Sequence, residues 1–186
     1  MRVISGSARG LKLNTPSDDR IRPTTDRVKE SMFNIIQDWV YDSQVLDLFA
    51  GSGALGIEAL SRGAKEAVFC DKSLDSIKII KSNIEKARLV DRSHLLNCDF
   101  KKCLSDMEVK GQTFDLIFVD PPYYKDLFED VLETIRACNI LNKDGIVIVE
   151  HDASTSIGHI KGLDVFKEKK YGITMLTFYC LEDCNE

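Results

Sequence analysis

At 186 residues, with 44% hydrophobic and 30% charged residues, the chain fits one soluble globular domain. No stretch approaches the ~20 apolar residues of a membrane span, and MRVISGSARG at the start has no signal-peptide core, so a cytoplasmic protein is expected. The net charge of −5 argues against a generic nucleic-acid binder, yet residues 1–30 carry +3 and leave −8 for the rest. That asymmetry fits a local phosphate-binding arm on an acidic body, or a plain solvated basic terminus.

In chain order, RVIS and LKLN flank GSARG and predict a short N-terminal β-hairpin. The polar, basic DDRIRPTTDR follows, with Pro23 as a breaker. Val28, Met32, Ile35, Ile36 and Trp39 then recur at helical spacing, which predicts an amphipathic helix from Thr25 to Val40. From residue 44, apolar runs at 44–49, 67–71, 94–99, 114–119 and 145–150 alternate with helical patterns at 54–62, 73–88, 100–106 and 126–138. This order predicts an α/β fold with a doubly wound, mostly parallel sheet. VFKEKKYG and ITMLTFYCLE alternate in polarity and should finish the sheet in antiparallel fashion. The expected organisation is a single domain over 1–186. Residues 1–24 form the hairpin and basic segment, and 25–186 form a helix plus the Rossmann-like core.

Ligands of such sheets bind beyond the carboxyl ends of the strands. There the sequence places AGSGALG after the first strand, then Asp71, Asp99 and Asp120 after the next three, and Glu150 at the end of the fifth. Gly51, Gly53 and Gly56 match the nucleotide-binding GxGxxG pattern, and Asp71 lies 20 residues beyond Gly51, where an acid grips ribose hydroxyls. A pyrophosphate wants the bare positive end of a helix. Asp47 puts a carboxylate beside it instead, which suits a cationic ligand without phosphate: S-adenosylmethionine. The expected cofactor contacts are Asp47, Phe49, Ala50, Gly51, Ser52, Gly53, Gly56, Asp71, Lys72, Asp99 and Phe100. Asp99 and Phe100 would serve the adenine. Asp99 also fits the N-cap of the next helix, and the two roles are compatible.

The fourth apolar run ends in VDPPYY. Pro121 and Pro122 fix the backbone and cannot extend a ladder. The Asp120 carboxylate and the Pro121 carbonyl then form a rigid pair of acceptors, with Tyr123 as a flat face. That set fits a planar group bearing an NH2. Acceptors on its hydrogens localise the nitrogen lone pair and stabilise charge growing during attack. The expected catalytic residues are Asp120, Pro121, Pro122 and Tyr123.

DLFAGSGALGIEALSRGA and VDPPY resemble adenosylmethionine-dependent methyltransferases acting on exocyclic or amide nitrogens, whose motif is [DN]PP[YF]. RVISGSARGLKL, RPTTDRVKESMFN and YGITMLTFY resemble the RsmD family of 16S ribosomal RNA guanine-N2 methyltransferases, over residues 2 to about 180. The resemblance implies a Rossmann-like class I methyltransferase core and methylation of the N2 amine of one guanine in small-subunit rRNA. It also implies RNA binding by the basic N-terminal segment. Asp71 stands where many relatives carry Glu. On this reading Arg9, Lys12, Arg22, Thr24 and Arg27 would contact RNA, although Arg27 also fits an ion pair on its own helix. The expected partner is 16S rRNA, within a small subunit or an assembly intermediate, met by a monomer.

The six cysteines have no CxxC spacing, and the closest pairs, Cys98/Cys103 and Cys180/Cys184, have no neighbouring histidine to complete a zinc set, so no metal site is expected; Cys70 and Cys98 read as small buried hydrophobes. His151 and Glu150 are candidates to line the site. Three other functions compete: methylation of a protein glutamine, against which Asp120 and the basic segment count; a nicotinamide oxidoreductase, in which DPPY has no role; and a noncatalytic RNA-binding module.

Overall fold

The computed structural model describes residues 1–16, 25–121 and 127–182. Arg22, Thr24, Pro122, Tyr123 and Tyr124 therefore lie outside the described residues. The helices are α1 (Asp26–Ile35), α2 (Gln37–Val40), α3 (Ala54–Ser61), α4 (Leu74–Ala87), α5 (Phe100–Val109) and α6 (Leu127–Ala137). The strands are β1 (Gln44–Asp47), β2 (Glu66–Cys70), β3 (Ser93–Leu96), β4 (Phe114–Val119), β5 (Leu141–Asp152), β6 (Leu163–Tyr171) and β7 (Thr174–Leu181).

The strands form one sheet in the order β3-β2-β1-β4-β5-β7-β6. The first five are parallel, and β7 runs antiparallel between β5 and β6. Successive strand residues feed two cores. Val45, Phe69, Leu116 and Phe118 pack on one face with α1, α3 and α4. Leu46, Leu48, Val68, Ile117 and Val119 pack on the other with α5 and α6. Burial on both faces is why these strands read as unbroken apolar runs. Among the described residues, no helix is long and apolar enough to cross a membrane.

Three expectations change in detail. The helix over 25–40 divides at Ile36, which leaves helical geometry at φ −97° and ψ 12°. Ile36 and Val40 are both buried, so the division keeps the apolar stripe against the core. The fifth strand extends past 145–150 in both directions, because a register shift opposite Phe114 and Leu116 lets polar Asn142–Asp144 ride along its start. The N-terminal hairpin is a compact turn closed by the single bridge Arg2↔Lys12. Its backbone bonds run from Val3 N to Leu11 O and from Gly10 N to Val3 O, each 2.9 Å.

That turn is anchored by charge. Lys29 of α1 and Glu58 of α3 form a fully buried ion pair, Nζ to Oε2 at 3.0 Å. Lys29 also donates to Arg2 O at 2.6 Å. Glu58 accepts from Ile4 N at 2.8 Å and Ser5 N at 3.0 Å, and from Arg62 Nε at 2.8 Å. The guanidinium of Arg62 lies over the Phe33 ring at 4.9 Å. Removing one partner of such a pair leaves the other charge buried, at a cost of about 3–5 kcal/mol. Lys29→Ala should therefore lower unfolding stability by about that amount in urea denaturation; a change under about 1 kcal/mol would contradict the buried network.

Candidate active site

The carboxyl ends of β1, β2, β3 and β4 each deliver one element of the candidate site. β1 ends on Asp47, and the chain turns through Leu48–Gly53 into α3. Gly53 caps that helix at φ 77°, a left-handed conformation that favours glycine. Gly56 is required by packing: a Cβ there would sit 2.4 Å from Cε1 of Phe69 on β2. Asp47 is buried, and its Oδ2 accepts from Gly56 N at 3.0 Å, so it lies against the first turn of α3. The Asp47 carboxyl is pushed up to about 7 by burial, opposed by the Gly56 bond and reinforced by Asp71.

Asp71 follows β2. Its Oδ2 accepts from Gly51 N at 2.8 Å and its Oδ1 from Ser73 N at 2.8 Å. One carboxylate thus fixes both the glycine loop and the entry to α4, while each oxygen retains a lone pair for a ligand. Lys72 is exposed, and its carbonyl and that of Asp71 accept from Asn97 Nδ2 at 3.1 and 3.0 Å. Ala50 N donates to Cys70 O at 2.9 Å, which holds the loop to β2. Asp99 takes the cap role: it accepts from Lys102 N at 3.0 Å at the start of α5. Phe100 and Phe49 stand with ring centroids 5.8 Å apart, tilted by 42°. The loop, Asp71, Asp99 and the two rings thus come to one sheet edge.

Asp120 directly follows β4 and is half-buried, with Pro121 buried behind it. Strand register puts Phe118 opposite Asp47 and Val119 opposite Val149. Asp120 therefore stands between Asp47 and Glu150. Burial, Glu150 and Asp47, in that order, hold its carboxyl well above the usual carboxylate range.

Glu150 is expected to end the fifth strand and His151 to follow it, but both lie within β5, paired with Leu176 and Met175 of β7. His151 is a packed side chain. Its Nε2 meets Thr177 Oγ1 at 2.9 Å, its Nδ1 meets Asp152 O at 3.0 Å, and its ring lies 5.7 Å from Phe128. Burial lowers its pKa.

Sequence reasoning missed Asn83 of α4. Buried, it donates from Nδ2 to Ser52 O and Asn14 O, both at 2.9 Å, and accepts from Asn14 N at 2.8 Å. It ties the end of the N-terminal turn to the glycine loop. An asparagine inside an amphipathic helix carries no sequence signal for such a role. Arg9 and Lys12 are exposed on that turn, and Arg27 is exposed on α1. A cavity of about 280 Å³ lies at the opposite sheet edge, between Ser5, Gly6, Tyr41 and Arg62, away from the acids.

Fold order, glycine loop and strand-end acids together define a Rossmann-like class I methyltransferase core. The chain belongs to the family described as conserved hypothetical protein 95, whose model matches residues 1–180; this bears out the likeness to the RsmD family. YlbH of Bacillus subtilis, provisionally named an rRNA methyltransferase, is 38% identical, covering 96% of this chain and 98% of its own. The ribosomal RNA small subunit methyltransferase D of Haemophilus influenzae is 34% identical, covering 96% and 93%. Among solved structures, yhhF of Escherichia coli, provisionally a methyltransferase, superposes with a TM-score of 0.86 at 32% identity, covering 98% of both chains.

The raised Asp47 carboxyl has a measurable consequence. An acid that holds its proton to about 7 when folded, but only to ~4 when unfolded, binds more protons in the folded state between those values. Stability then falls as pH rises through that window. Asp47→Asn should remove this loss, so the variant should gain on wild type between pH 5 and pH 8 in thermal unfolding. A gap independent of pH would contradict the assignment.

Proposed function

We propose that this chain methylates the exocyclic N2 amine of a guanine in small-subunit ribosomal RNA, using S-adenosylmethionine. The observation that carries the reading is the juxtaposition of Asp120–Pro121 with Asp47 and the glycine loop at one sheet edge. The relatives named as small-subunit rRNA methyltransferases point to the RNA class.

The residues present fit the cofactor. Asp47 is a buried carboxyl held partly neutral by burial and by Asp71, a strain that a bound cation relieves. Asp71 offers its remaining lone pairs to the ribose hydroxyls, Phe49 and Phe100 flank a flat base, and Asp99 accepts from its amine. Ala50, Gly51, Ser52 and Gly53 bring backbone close to the ligand, Gly56 lets α3 pack there, and Lys72 edges the pocket. Bound there, S-adenosylmethionine supplies an electrophilic methyl group.

Asp120 and the Pro121 carbonyl accept the two hydrogens of the target amine, which localises the nitrogen lone pair and aims it. Pro122 and Tyr123 lie outside the described residues; in this reading Pro122 serves to stiffen the corner and Tyr123 to stack on the base. As nitrogen becomes positive, Asp120 stabilises the charge and takes the released proton. A base in folded RNA must leave its stack to reach this corner. Arg9, Lys12, Arg22, Thr24 and Arg27 hold the RNA, the arginines and Lys12 chiefly through phosphates. The domain division goes with this reading: residues 1–24 supply most of the RNA contacts, and 25–186, with Arg27 near its start, hold the catalytic core.

Labelled methyl from S-adenosylmethionine should enter small-subunit RNA as N2-methylguanine, and Asp120→Ala should lower kcat by about 10²–10³-fold. Ionised Asp120 is the active acceptor, so activity should rise with pH through its raised pKa. Asp120→Asn keeps an acceptor and should lose that acid limb. Label in another nucleoside, or in a protein glutamine, would overturn the reading.

A further inference from the structure

Three cysteines, Cys70 from one strand end and the nearby pair Cys98 and Cys103, converge behind the strand-end acids. Cys70 ends β2, Cys98 directly precedes Asp99, and Cys103 lies one turn into α5. Their sulfurs all lie within 4.8 Å of one another. We propose that Cys70, Cys98 and Cys103 form a three-thiolate site for a soft monovalent cation, with monovalent copper as its natural occupant.

Geometry is the first support. A metal–sulfur bond of about 2.3 Å sets sulfur–sulfur separations of about 3.8 Å for tetrahedral and about 4.0 Å for trigonal coordination. The sulfurs of Cys70 and Cys98 stand 3.9 Å apart. Cys103 is held in place because Asp99 caps its helix, accepting from Lys102 N at 3.0 Å. Little movement is needed to close three sulfurs on one ion.

Ligand chemistry is the second. The set is all sulfur, and thiolates select soft cations. Structural zinc almost always takes four protein ligands. Among the described residues this group holds three, which suits a cation content with trigonal coordination. Access and charge are the third. Cys70 and Cys103 are buried while Cys98 is half-exposed, which gives an ion a way in. A thiol must lose its proton to ligate. Each thiol that ligates therefore releases its proton to solvent, and binding weakens as pH falls.

Of the two short cysteine spacings, Cys98/Cys103 and Cys180/Cys184, the first contributes to the cluster, which also needs Cys70, 28 residues before Cys98. Its position, one residue before both Asp71 and Asp99, places it directly under the acids. The binding claim itself does not depend on the catalytic reading.

The test is an anaerobic titration of the reduced full-length chain with monovalent copper against a chromophoric chelator, with X-ray absorption on the loaded protein. One ion per chain is expected, bound by three sulfurs at about 2.3 Å. Cys98→Ser should weaken binding by more than about 10-fold, and Cys138→Ser, outside the cluster, should not. Because Cys98 is half-exposed, that variant should fold; should it not, the sulfur count in wild type still decides. No binding, fewer than three sulfurs, or binding that survives Cys98→Ser and vanishes with Cys180→Ser and Cys184→Ser would overturn the proposal.

Discussion

The buried pair between Lys29 and Glu58 is the constraint on which the arrangement depends. Glu58 sits in the middle of α3, the helix that the glycine loop opens. Through it, α1, the N-terminal turn and the loop helix become one body. Lys29 reaches Arg2 O, and Glu58 receives Ile4 N, Ser5 N and Arg62 Nε, so the charges are hydrogen-bonded as well as paired. Ser61 extends the contact: its Oγ accepts from Ala8 N at 2.9 Å and donates to Ser5 O at 2.6 Å. Asn83 adds a second tie at the other end of the turn, next to Ser52. The N-terminal turn is therefore seated on the glycine loop and its helix, which gives Arg9 and Lys12 a fixed place relative to the strand ends.

A second constraint is the crowding of acids at those ends. Burial, reinforced by Asp71, raises the cost of ionising Asp47, and burial, Glu150 and Asp47 raise that of Asp120. Four carboxyl groups at one edge are tolerable because backbone N–H groups hold some of them, as Gly56 holds Asp47 and Gly51 holds Asp71. The remaining unfavourable charge is what a cationic ligand and a polarised amine would relieve. The same edge thus trades stability of the empty protein for affinity, which is how binding sites commonly depart from the most stable arrangement.

Much of this was legible in the sequence. Parallel strands covered on both faces must be continuous apolar runs, so β4 is found at the predicted Phe114–Val119. Glycines and acids stand at strand ends because the fold puts ligands there. What was not legible depends on tertiary neighbours. Lys29 reads as an ordinary charge on an amphipathic helix, and Glu58 lies in the helix opened by the glycine loop, so nothing local signals a pair 29 residues apart that excludes water. The bend at Ile36 follows from packing on the sheet. His151 reads as a residue beyond a strand because the apolar run GIVIVE stops at Glu150, whereas pairing with β7 carries β5 to Asp152. The convergence of three sulfurs has no sequence signature, since it arises from the spacing of β2, β3 and α5.

The proposed reaction methylates one guanine of the small-subunit rRNA. Mapping of methylated nucleotides in rRNA from cells lacking the protein tests it most directly. The account predicts that a single guanine loses its N2 methyl group and regains it when the wild-type chain is restored. An unchanged methylation pattern in small-subunit rRNA, or loss of a methyl group from another position of the base, would contradict it.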